Sequence, residues 1–137
     1  MAAALALVEC YQEVGRHEEA IGVLQQLVEG EREPALTLSL CELYAEAGDW
    51  DEVAALGAGI ANDDDLTLQI LLYRATALLR RGDDEEAIEA YDDALSSARR
   101  SPRLLTAARL GRGFLLLRLG RTADAREDLA RLLDDDD

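Results

Sequence analysis

An all-α fold built as a stack of antiparallel helix pairs is what this sequence predicts, on three observations. First, one short pattern recurs four times along the 137 residues: Gly15-Arg-His-Glu-Glu-Ala20, Gly48-Asp-Trp-Asp-Glu-Val53, Gly82-Asp-Asp-Glu-Glu-Ala87 and Gly120-Arg-Thr-Ala-Asp-Ala125. Its glycines are spaced by 33, 34 and 38 residues, the period of a helical solenoid. Second, 49% of the chain is apolar yet only six residues are aromatic. The apolar content is therefore mostly Leu and Ala, which suits close helix-on-helix packing better than a sandwich of strands. Third, Pro occurs only at positions 34 and 102, so few segments are barred from being helical.

Each element follows from the repeat. A glycine that adopts the left-handed conformation ends a first helix. An acidic stretch then opens a second one, favoured by its amino-terminal dipole. Five residues after the glycine comes a small residue (Ala20, Val53, Ala87, Ala125), which lets the two helices cross closely. Four residues before it comes a large apolar one (Tyr11, Tyr44, Leu78, Leu116), and seven before it a small or medium one (Val8, Cys41, Ala75, Gly113). Twelve after it come Leu27, Ile60, Ala94 and Leu132. Spacings of three and four put these positions on one stripe, which must be buried. Eight helices result, near 2–14, 17–29, 34–47, 50–61, 66–81, 84–100, 102–119 and 122–133. Pro34 and the Ser101-Pro102 pair mark two of the starts, since Pro is well tolerated in a first turn.

This pattern resembles the tetratricopeptide repeat over essentially the whole chain, four times in register. The resemblance implies a right-handed superhelical solenoid of four antiparallel helix pairs, A and B, forming a single domain with repeats near 1–33, 34–66, 67–101 and 102–137. It also implies binding of peptides or helices, chiefly in the concave groove lined by the A helices. Some positions depart from the family pattern. The bulky aromatic expected eleven before the glycine is Ala4, Thr37, Leu71 and Arg109, and the proline expected near each repeat's end is displaced or missing. Gly57 and Gly59 fall inside the fourth predicted helix, where each should cost about 1 kcal/mol relative to Ala. The third repeat is longer, as in the extended repeats of large bacterial regulators. Neither end shows an obvious polar cap, which solenoids usually need. A fragment of a larger repeat protein, or end faces that pair with another copy, is the expectation.

Charge narrows the partners. Fourteen basic residues, all of them Arg, stand against 29 acidic ones, for a net charge of −15. A high-GC coding sequence explains the absence of Lys more simply than adaptation to high salt. Such a surface repels phosphate backbones and anionic lipid heads, arguing against nucleic acid and membrane as partners. The start has no basic leader and meets Glu9 too soon for a signal peptide, and no apolar run is long enough to span a bilayer. Cys10 and Cys41, each within an apolar helical pattern, read as small buried residues in a reducing compartment. A cytoplasmic location follows.

The groove can be drawn from the register. Ten, six and two residues before each glycine form a stripe beside the buried one: Leu5, Glu9 and Glu13; Leu38, Glu42 and Glu46; Leu72, Thr76 and Arg80; Leu110, Phe114 and Arg118. A leucine ridge is thus flanked by charge that changes sign halfway along. Residues 1–66 hold two arginines and 15 acids, whereas residues 67–137 hold 12 arginines and 14 acids. Arg99, Arg100, Arg103, Arg109, Arg112, Arg118 and Arg121 fall in a stretch that contains no acid. Arg80 and Arg118 are candidates to hold carboxylates of a partner through paired hydrogen bonds, with the ridge taking its apolar side chains. The plainer alternatives are that the arginines pair with nearby Asp and Glu and that each leucine is covered by the next A helix. A small anionic ligand in the arginine cluster is a third reading. The lysine-and-asparagine clamp by which family members hold chaperone tails is absent: there is no Lys, and Asn62 lies in a loop.

No catalytic constellation, metal site or cofactor motif emerges. His17, the only histidine, sits in a turn beside Glu18 and Glu19 and reads as solvated, without partners for a metal or a nucleophile. Asp63, Asp64 and Asp65 read as a helix-capping loop without calcium-loop spacing. Asp134 to Asp137 read as a solvated tail, and Trp50 as a residue packed between helices. The expected function is non-catalytic: an interaction module that binds a protein or peptide in its groove. The alternative is a structural solenoid segment or self-association module of a larger regulator or scaffold.

Overall fold

A computed structural model describes residues 2–30, 33–96 and 101–135. Among them are eight helices: α1 (Ala2–Glu13), α2 (His17–Gly30), α3 (Pro34–Ala47), α4 (Trp50–Gly57), α5 (Asp65–Arg81), α6 (Asp84–Ala94), α7 (Pro102–Arg118) and α8 (Thr122–Asp135). The odd-numbered helices are the A helices and the even-numbered ones the B helices.

The four A-to-B turns are chemically the same turn. Gly15, Gly48, Gly82 and Gly120 all have φ between 76° and 84°, a region open to Gly without a Cβ penalty. Each glycine N–H donates to the carbonyl three residues back (Gln12, Ala45, Leu79, Leu117), at 3.0–3.1 Å. The next N–H donates to the carbonyl five residues behind it (Tyr11, Tyr44, Leu78, Leu116), at 2.8–2.9 Å. This paired bonding satisfies carbonyls that the ending helix leaves open. The residue that follows the glycine then accepts the first bond of the B helix, from Ala20, Val53, Ala87 or Ala125.

Burial follows the register. Ala20, Val53, Ala87 and Ala125 are each 0% exposed, and Val8, Cys41, Ala75 and Gly113 are all buried. Tyr44, Leu78 and Leu116 are buried and Tyr11 half-buried, so one core runs through the stack. Three glycines permit helices to touch. A Cβ on Gly57 would lie 2.8 Å from the Cβ of Arg74, one on Gly111 would lie 2.5 Å from the Tyr91 hydroxyl, and one on Gly113 would lie 2.8 Å from Leu129. They bring α4 to α5, α6 to α7 and α7 to α8.

Two predicted helices end early. The fourth, expected over 50–61, stops at Gly57, and Gly59 lies beyond it with φ 74°. Gly57 is therefore a contact residue and Gly59 part of the exit turn, rather than two flaws inside one helix. The sixth, expected over 84–100, stops at Ala94, and its last predicted residues, 97–100, lie outside the described ones. Asn62 terminates it by donating to the carbonyls of Asp93 (2.8 Å) and Ala94 (3.2 Å). The acidic loop caps as expected: Thr67 N–H donates to Asp64 Oδ1 at 2.9 Å, and Asp64 N–H donates to Thr67 Oγ1 at 3.0 Å.

Curvature has a readable sense. Consecutive A helices α3, α5 and α7 approach one another directly, whereas no two B helices do among the described residues. The A layer is therefore the inner, concave side. The first repeat joins the stack through α2 on α3, without direct approach of α1 to α3.

Candidate functional site: the A-helix groove

The side chains of the predicted stripe fall into three situations. On α1, Leu5 is 36% exposed, and Glu9 and Glu13 are exposed. In the middle, Leu38 is only 7% exposed, so it belongs to the core rather than to an open ridge. Leu72 and Thr76 are half-buried. On α7, Leu110 and Phe114 are 40% and 59% exposed. The leucine ridge is thus interrupted at Leu38.

Leu72 and Thr76 meet residues that the register did not single out. With Gln69, Tyr73 and Leu104 they line a largely apolar cleft of about 260 Å³ between α5 and α7. Gln69 and Tyr73, and Leu72 and Thr76, are four apart on α5, so two adjacent rows of one helix build the floor. The signal was present as a second row beside the first. Thr76 donates its hydroxyl to the Leu72 carbonyl at 3.1 Å, so that donor is satisfied within its own helix.

The arginines of the predicted stripe have partners within the chain. The side chain of Arg80 stacks over the Trp50 ring, 5.3 Å from its centroid. Arg118 pairs with Asp84 at 2.6 Å. Arg121 pairs with Asp124 and Arg131 with Glu127. Arg81 pairs with Asp51 and Asp83. Arg99 and Arg100 lie outside the described residues. Intramolecular pairing, the plainer alternative, therefore accounts for much of the arginine cluster.

The acidic half is arranged otherwise. Glu42 and Glu46 are both exposed, one turn apart on α3, and no arginine among the described residues pairs with either. Partial burial, together with the charge of Glu46, pushes the Glu42 carboxyl above its usual range, and the same two carboxylates push Tyr73 up further beyond its own desolvation. His17 is half-buried rather than solvated: its Nδ1 faces Glu46 Oε2 at 3.7 Å and forms no hydrogen bond among the described residues.

The strongest polar cluster lies on the opposite side of α7. Arg112 donates Nε–H and Nη2–H to the two oxygens of Asp128 (2.8 and 2.6 Å) and Nη1–H to Asp92 (2.8 Å). Those bonds, Asp128 first, raise the guanidinium above its ordinary range against the opposing effect of burial. Sequence reading placed Arg112 only in a basic run. Its register, eight before the glycine, is shared with Arg74, whose Nη1 donates to the Ala54 carbonyl at 2.7 Å.

Cys41 is buried, and burial lifts its thiol to about 12. Cys10 is exposed, contrary to the expectation that both are core residues. Among the described residues no group of three or more His, Cys, Asp or Glu could hold a metal ion, and no helix is long and apolar enough to cross a membrane.

Three family models, each described as tetratricopeptide repeat, match residues 3–38, 42–104 and 107–136. The chain belongs to the tetratricopeptide repeat family. Among solved structures it is similar to MamA AMB-1, at 18% identity and a TM-score of 0.74, over 97% of this chain and 77% of that one. It is likewise similar to MamA MSR-1, at 17% identity and a TM-score of 0.71, over 97% and 75%. At such identities the likeness concerns the fold. No curated protein matches the chain. As a tetratricopeptide repeat protein it carries a non-catalytic, interaction-scaffold type of fold, and its groove is the face on which the site geometry bears.

Proposed function

We propose that this tetratricopeptide repeat protein is a non-catalytic module that holds a peptide or helix of a partner protein in the concave groove of its A helices, and that it works in the cytoplasm. The observation that carries this reading is the apolar cleft among Leu72, Tyr73, Thr76 and Leu104, a socket for one aliphatic or aromatic side chain in the helix-in-groove or extended mode. Glu42 and Glu46 supply the charge nearby, and they favour a Lys or Arg on the partner. A partner carboxylate at Arg80 or Arg118 would compete with Trp50 and Asp84 for the guanidinium, so acidic recognition there is the weaker part of the reading. The net charge of −15 disfavours nucleic acid and anionic membranes.

Display of random peptides against the wild-type chain, followed by fluorescence anisotropy, tests this. Selected peptides should carry an apolar residue beside a basic one. Their affinity should fall by about tenfold or more in Leu104→Ala and in Glu42→Arg, as for a central contact residue. Unchanged affinity in both variants would place the binding elsewhere.

The second reading, a structural or self-associating segment, is favoured by the apolar side chains left exposed at the two ends of the stack.

A further inference from the structure

Histidine is the side chain that changes charge between about pH 5 and 8, and this chain has one, His17. It opens α2, and its Nδ1 is buried without a hydrogen-bond partner among the described residues. A buried nitrogen left in that state is costly. The group it faces is Glu46 of α3, whose Oε2 lies 3.7 Å away, just beyond hydrogen-bond reach. A proton on Nδ1 of the charged ring turns it into a cationic donor to that carboxylate. Both side chains are partly exposed, so a small turn of either closes the gap.

The charges around the ring are mostly acidic. Among the described residues, only α1 and α3 pack against α2. Helix α1 brings Glu9 and Glu13, with Cys10 and Tyr11, and α3 brings Glu42 and Glu46, with Cys41 and the Tyr44 hydroxyl that meets Gln25. On α2 itself Glu18 and Glu19 follow the ring. Against a positive ring stand the amino-terminal dipole of α2 and the neighbouring Arg16. That arginine is held by Glu19 at 3.0 Å and lies over the Tyr11 ring, so it is engaged away from Glu46. The other arginine of residues 1–66, Arg32, lies outside the described residues.

Glu46 also belongs to the groove. It lies one turn from Glu42, and both carboxylates act on Tyr73, which lines the Leu72–Leu104 cleft. We infer that His17 is a proton-operated gate on this site. Neutral, it leaves Glu46 to a basic side chain of the partner; charged, it takes Glu46 for itself and repels that side chain. The same contact ties α2 to α3, the junction through which the first repeat joins the stack. Acidification therefore closes the gate and tightens the stack in one event. The consequence for binding rests on the groove reading above, whereas the His17–Glu46 contact stands without it.

Two measurements, each made at about pH 7.5 and at about pH 5.5, separate the contact from its consequence. The first is nuclear magnetic resonance of the nitrogen-labelled chain, in which the single histidine ring gives signals of its own. At the lower pH the wild type should show an Nδ1–H resonance that survives solvent exchange, as a buried and bonded proton does. It should be missing at the higher pH, and missing from Glu46→Gln at both. A wild type without this resonance, or a Glu46→Gln chain that keeps it, overturns the inference. The second is anisotropy with a basic and apolar peptide selected at the higher pH. On acidification the wild type should lose about fivefold more affinity than His17→Gln, the effect of one unit charge set near a carboxylate in water. Protonation of Glu42 is common to both chains and cancels. A parallel loss in the two chains overturns the gate alone. Failure of any such peptide to bind at the higher pH removes the groove reading and the gate with it, and the resonance then decides the contact.

Discussion

Arg112 and Asp128 show what a single residue pair decides in a small helical stack. Asp128 is 4% exposed and accepts two bonds from one guanidinium, which also reaches Asp92 on α6. Three helices are thereby tied at one point. Removing one partner of a buried pair is costly because the other charge stays behind, whereas removing both is often nearly neutral. Asp128→Ala should therefore cost about 3 kcal/mol in urea unfolding, and Arg112→Leu combined with Asp128→Leu should recover most of the loss. Equal stability of the single and double variants would mean that the contact is packing, not charge. Little of this was legible in the sequence. The positions fit the repeat, but a run of arginines does not say which are solvated, and Asp128 looks like any acid on an amphipathic helix. His17 and Cys10 differ from expectation for a related reason: sequence spacing assigns a face to a side chain, and what the neighbouring repeat places over that face is a tertiary matter.

At the scale of elements the sequence was far more informative, because helix ends in this chain are written in local chemistry. The left-handed glycines of the four A-to-B turns, Pro34, Pro102 and the Asp64 cap all act within a turn of the residue concerned. Helix α4 ends sooner than predicted at the turn that holds Gly59, with φ 74°, and α6 does so because its terminator acts over distance. Asn62 stops α6 from 31 residues away, and Gly57 is chosen by the stem of Arg74 on the next helix. Gly57→Ala measures that choice. Helix propensity alone favours the alanine by about 1 kcal/mol. Yet its Cβ would sit 2.8 Å from Arg74 Cβ, and overpacking of this kind costs about 1–3 kcal/mol. Net destabilisation is the expected result in thermal or urea unfolding, with partial relief in Arg74→Ala, where the long stem is gone. A more stable Gly57→Ala would show that α4 can move away from α5 without loss.

The whole molecule is electrostatically lopsided, and this should govern where it is soft. Of the net −15, residues 1–66 contribute −13, with two arginines among them. The remaining residues, nearly balanced, hold most of the ion pairs that link helices: Arg112 with Asp92 and Asp128, and Arg118 with Asp84, while Arg81 reaches across to Asp51. Self-repulsion destabilises a compact state, and salt screens it as the Debye length falls from about 30 Å at 0.01 M to about 3 Å at 1 M. Salt also weakens exposed ion pairs, but each of those contributes little. Repulsion dominates in the first two repeats, and attraction offsets it in the last two. Raising the ionic strength should therefore raise the melting temperature of the whole chain. Amide exchange should show the gain concentrated in α1 to α4, with little change in α7 and α8. The first repeat should respond most, since α1 reaches the stack only through α2. A melting temperature that falls with salt, or protection gained mainly in α7 and α8, would mean that the arginine pairs outweigh the repulsion among carboxylates of the acidic half.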